Sequence, residues 1–101
     1  MNAKQIEVHD YFKAMHTEAL ILYHLSGQYM VLGEDVSRAK KSITNIQIME
    51  EGVAVMPDDI RLLSALSTDG TEVHIVQYKN DNGVFDLPDI HRLKEEKEMD
   101  Y

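Results

Sequence analysis

Five histidines, His9, His16, His24, His74 and His91, are the side chains best suited to bind a metal or carry a proton. Their spacing serves neither purpose. No pair falls as HxxxH on a helix, HxH on a strand or HExxH, the patterns that bring two imidazoles to one ion. His9 and His16 lie seven residues apart, on one helix face but two turns distant. His24 and His74 sit in the two strongest strand-like runs and are the best candidates to face each other. A pocket-lining or hydrogen-bonded core role is the expectation for that pair. The chain has no cysteine, which excludes disulfides and thiolate metal sites. The expectation is no metal and no cofactor.

The carboxylates have plain explanations. Asp58 and Asp59 follow Pro57 and suit a helix N-cap; Glu34 and Asp35 suit the first turn of another helix. Ser26-Gly27 lacks the GxSxG pattern of a nucleophile elbow. Gly33, Gly52, Gly70 and Gly83 are scattered singly and form no phosphate loop. Arg38, Lys40 and Lys41 are the densest basic cluster, either a solvated helix face or a set of phosphate contacts. No arrangement here supports an enzyme.

The elements that position these residues are legible in the apolar pattern. Ile6 to His16 carries Val8, Tyr11, Phe12 and Met15 at helical spacing. Ala19 to Leu25 is apolar on both parities, as in a strand covered on both faces. Ser26-Gly27 turns the chain into a second strand, Tyr29 to Leu32. Gly33 ends it, and a helix runs from Glu34 and Asp35 to Lys41 with Val36, Ala39 and Ile43 buried. Asn45 to Met49 and Val53 to Met56 are short strands about a Glu50-Glu51-Gly52 turn. A helix follows with Ile60, Leu62, Leu63 and Leu66, and Gly70 stops it. Glu72 to Tyr78 is a strong strand. Val84 to Leu87 suits a last edge strand that a second chain could pair with, and residues 89 to 101 suit a charged, frayed helical tail. The order predicts a single small α/β (α+β) domain, residues 1–88, with a mixed sheet of five to six strands flanked by three helices.

With 101 residues the chain fits one domain and can bury roughly 65% of its unfolded surface. Eighteen acidic residues against ten basic ones give a net charge of −8. That balance favours solubility and disfavours non-specific nucleic-acid binding. The N-terminal MNAKQIEVHDYFK is too polar for a signal peptide, and no run approaches a membrane span. A cytoplasmic protein without membrane contact is the expectation.

The stretch YFKAMHTEALILYHLSGQYMVLGEDVSRAKKSI resembles the N-terminal mismatch-recognition domain of the MutS DNA mismatch repair family. That domain has a helix, an apolar strand, a Gly-Asp-Phe-Tyr-Glu-Leu-Phe motif, an acidic pair and a basic-ended helix. VAVMPDDIRLLSALSTDGTEVHIVQY is similar to its later segment, with Leu63, Leu66, Gly70, Val73 and Ile75 in register with a strand of the Val-Ala-Ile-Cys-Glu-Gln type. The likeness covers about residues 8 to 78 and implies the same mixed α/β fold. In that family the Phe stacks on a mispaired base and the Glu hydrogen-bonds it, where a weakened stack makes wedge insertion cheap. The Phe position is Gln28 here, the Glu position is Met30, and the Tyr between them survives as Tyr29. There is no Walker A motif for ATP hydrolysis, and the family's clamp, connector and ATPase domains have no counterpart in the sequence.

The resemblance thus implies a non-catalytic, stand-alone MutS-like domain that contacts double-stranded DNA through Gln28, Tyr29, Met30, Arg38, Lys40 and Lys41. The alternative is the same fold reused to bind another protein, a second copy of itself or a small ligand. An exposed Tyr29 and Met30 beside Arg38 and Lys41 would favour the first; a buried Tyr29 would exclude direct reading of DNA.

Overall fold

The structure is a computed structural model and describes residues 1–25, 27–77 and 98–100. Among these the order is α1 (Ala3–Met15), β1 (Leu20–Leu25), β2 (Gln28–Leu32), α2 (Asp35–Ser42), β3 (Gln47–Glu50), β4 (Val53–Pro57), α3 (Ile60–Thr68), β5 (Val73–Gln77) and β6 (Glu98–Asp100). The strands form one six-stranded mixed sheet in the order β3-β4-β2-β1-β5-β6. Only β1 and β5 run parallel; the other neighbours are antiparallel. The expected class, a mixed sheet with three helices, is what the chain adopts.

Alternation along β1 and β2 divides the core into two layers. Ala19, Ile21, Tyr23 and Leu25, with Met30 and Leu32, pack against Val8 and Phe12 of α1. Leu20 and Leu22, with Tyr29 and Val31, pack on the other face against Val36, Ala39 and Ile43 at α2 and Leu63 and Leu66 of α3. The double-sided apolar run in β1 is therefore a central strand covered by helices on both sides.

Local chemistry sets the helix starts. Asn2 caps α1: its side chain accepts the Gln5 N–H at 2.8 Å, and the Gln5 side chain accepts the Asn2 N–H at 2.9 Å. Asp59 caps α3 through the Arg61 N–H at 2.9 Å. The inward face of α1 is Gln5, Val8, His9 and Phe12, whereas Met15 is exposed. That face is rotated from the purely apolar expectation because His9 finds polar partners inside.

The chain's end departs from expectation. Glu98–Asp100 is a strand antiparallel to β5, with Ile75 opposite Met99. The edge of β5 offers Glu98–Asp100 a hydrogen-bonding ladder. Residues 98–100, within the expected tail, thus belong to the sheet. The expected strand at 84–87 and helical run from 89 to 97 lie outside the described residues. Among the described residues no helix is long and apolar enough to cross a membrane.

Candidate functional site

The hairpin between β1 and β2 was expected to carry the reading residues. Gly27 turns the chain at φ 74°, a conformation that glycine adopts without strain, and both Gly27 and Gln28 are exposed. Tyr29 is only 5% exposed and Met30 only 4%. They point to opposite faces, Tyr29 into the α2 and α3 layer and Met30 into the α1 layer. The cause is β2's place between β1 and β4, with helices over both faces. Display of Tyr29 or Met30 to a base is thereby corrected: neither side chain offers a wedge, and Gln28 alone of the three faces solvent.

The basic residues do not join Gln28. Gln28 is opposite Pro57, just before the N-terminal end of α3. The other end of α3 holds Asp69, which accepts a hydrogen bond from Ser42, the last residue of α2. Nine helical residues, about 13 Å, separate the two ends of α3. Exposed Lys40 and Lys41 therefore sit toward the far end of the sheet from Gln28. Arg38 is half-buried and occupied, donating to Asp35 Oδ1 at 3.4 Å and to the Glu18 carbonyl at 3.1 Å.

Asp35 itself is 1% exposed and organises that end of the fold. Its Oδ2 accepts the Ile21 N–H at 3.0 Å; its Oδ1 lies 3.3 Å from Lys13 Nζ. Lys13 also donates to the Ala19 carbonyl at 2.6 Å. Asp35 is in the first turn of α2, as expected, and its carboxylate also ties α1, β1 and α2 together; Glu34, the N-cap residue, makes no side-chain capping bond. Beside it, His9 Nδ1 lies 3.0 Å from the Tyr23 hydroxyl. Burial lowers the His9 pKa, with the Asp35 charge opposing. A neutral ring accepts the Tyr23 hydroxyl hydrogen in one tautomer and donates to its oxygen in the other. Gly33 passes this ring closely: at φ 62°, a Cβ there would lie 3.3 Å from His9.

A second polar cluster lies at the carboxyl ends of β1 and β5. His24 Nε2 is 2.6 Å from Asp58 Oδ2, and its Nδ1 is 2.9 Å from the side-chain amide of Gln77. The ring lies 5.0 Å from that of Tyr29. Nε2 donates to the carboxylate; the Gln77 amide turns its NH₂ to a neutral ring and its oxygen to a charged one. With both nitrogens engaged, His24 cannot take a proton from a nucleophile without breaking a bond.

The His24 and His74 pairing is not formed. His24 is opposite Gln77, and His74 is opposite Ile21. The two differ in strand parity, so they project to opposite faces. His74 instead stacks on His16 of the α1 end, ring centres 3.7 Å apart. Among the described residues no group of three potential ligands could hold a metal ion. Sequence reasoning missed Asp58 and Gln77 as partners of His24. Two aspartates stood where one cap sufficed, which marked one as spare; Gln77 carried no signal, because parallel register cannot be read from one strand. Compared with models of known protein families the chain matches none, and no curated protein is significantly similar to it.

Proposed function

We propose that this chain is a non-catalytic interaction module, a MutS N-terminal-like domain whose base-reading tip has been absorbed into its own core. The observation that carries the reading is the burial of Tyr29 and Met30 in opposite layers. A mismatch reader needs an apolar wedge free to enter the minor groove and a polar group beside it. Gln28 supplies neither a wedge nor a charge, and the exposed lysines lie toward the other end of the molecule. The net charge of −8 opposes the phosphate contacts on which duplex affinity rests. A cytoplasmic, cysteine-free protein that works through protein contacts is the consequence.

The test is fluorescence anisotropy of labelled matched and mismatched duplexes, titrated with the full chain at low and moderate salt. No binding to either duplex at low salt is expected. Binding that prefers the mismatch would overturn the proposal, and equal salt-sensitive binding would replace it with a generic DNA role. The His24 cluster supports a second reading, a small polar ligand. Ligands of open α/β sheets settle beyond the carboxyl ends of parallel strands, where His24, Gln77 and Asp58 converge.

A further inference from the structure

We propose that His9 is a proton-operated joint, in which protonation of the buried ring is transmitted to the hydrogen bond between Gly33 and Gly52 that ties the β2–α2 turn to the β3–β4 turn. The switch belongs to the fold and is independent of what the domain binds. His9 is 7% exposed, on the inward face of α1, and its two nitrogens face different groups. Nδ1 lies 3.0 Å from the hydroxyl of the fully buried Tyr23. Nε2 lies 3.8 Å from Asp35 Oδ2, about 1 Å beyond the length of a charge-assisted hydrogen bond.

A neutral ring is held at Nδ1 by Tyr23 in either tautomer. A charged ring carries N–H on both nitrogens, and the Nε2–H is then drawn to the Asp35 carboxylate. Asp35 is the fixed side of that gap. Its Oδ2 accepts the Ile21 N–H at 3.0 Å, and its Oδ1 lies 3.3 Å from Lys13 and 3.4 Å from Arg38. The ring therefore does the moving, and the edge that moves is seated on Gly33. A Cβ at Gly33 would lie 3.3 Å from both Nε2 and Cδ2 of His9. The Gly33 N–H in turn donates to the Gly52 carbonyl at 2.8 Å. Gly33 directly follows β2 and Gly52 directly precedes β4, at φ 62° and 77°. Backbone without a Cβ yields there more readily than the β2 and β4 ladder beside it.

The charged groups about the ring are Asp10 and Lys13 on α1, Glu34 at the turn and Asp35 on α2; Tyr23 faces it from β1. Burial holds the His9 pKa below the ordinary 6.5, with the three carboxylates opposing and Lys13 reinforcing. The neutral joint is thus complete above about pH 6.5 and is lost as pH falls through the lowered folded value.

A heteronuclear NMR titration of the full chain from about pH 7.5 to 5 tests this, following the His9 ring and the two glycine amides together. The Gly33 and Gly52 signals are expected to move with the ring at one midpoint, below about pH 6.5. The Gly33 amide is expected to lose about tenfold of its exchange protection, more than the amides of β2 and β4. His9→Gln is expected to hold both glycine signals still over that range. Asp35→Asn removes the carboxylate that draws the proton and is expected to move the shared midpoint to lower pH. Glycine signals that stay fixed while His9 titrates, or that move equally in His9→Gln, would overturn the proposal. So would a chain that loses all its dispersed signals at once before His9 takes up a proton.

Discussion

At the scale of single residues the fold turns on a buried carboxylate. The buried Asp35 carboxylate accepts a backbone N–H and pairs with two partly exposed cations. Removing one partner of such a cluster strands the others, so Asp35→Ala should cost about 3–5 kcal/mol in urea unfolding. Asp35→Asn keeps an acceptor for the Ile21 N–H and should cost less. The neighbouring His9 makes a second prediction. Its folded pKa is lowered, so the unfolded chain takes up the proton first as the solution acidifies. The stability held by the neutral ring is complete above about pH 6.5 and is lost as pH falls below it. Melting temperatures from pH 7.5 to 5.5 should fall more steeply for the wild type than for His9→Gln. A reversed order would place a charged His9 in the fold. None of this cluster was legible in the sequence. Asp35 reads there as an ordinary first-turn acid, because nothing in one helix says which acid faces another element's backbone.

At the scale of elements the reading was better, and the physical reason is periodicity. The alternation of β1, the spacing of Val8 and Phe12, the apolar face of α3 and the glycine stops all have strong local signatures. Pairing order and register have none, which is why His24 and His74 were placed face to face. α1 is the sole described helix on its side of the sheet and is anchored chiefly by Phe12, which packs edge-on to Tyr23 with ring centres 6.0 Å apart. Phe12→Ala should therefore destabilise the whole domain by about 3–5 kcal/mol, measured by denaturant unfolding. A separate early transition of α1 would contradict a single cooperative core. The strand at the chain's end escaped sequence reasoning because its stabilisation comes from the β5 edge. Deleting residues 98–101 should accelerate amide exchange in β5 and leave β3 and β4 unchanged.

At the scale of the whole molecule the sheet buries Tyr29 and Met30, which follow the exposed turn at Gly27 and Gln28. The apolar pattern and Gly27 located that turn, between β1 and β2, but burial at Tyr29 depends on β4 and the helices over its face, which arrive later in the chain. The candidate DNA residues consequently divide into core (Tyr29, Met30), one exposed end (Gln28), an internal ion pair (Arg38) and a distant solvated pair (Lys40, Lys41). A residue that reads DNA is dispensable for folding; a residue of the core is not. The most direct test is the urea unfolding free energy of Tyr29→Ala. A buried aromatic predicts a loss of about 3–5 kcal/mol. A change within about 0.5 kcal/mol, as for exposed positions, would put Tyr29 on the surface and contradict the account.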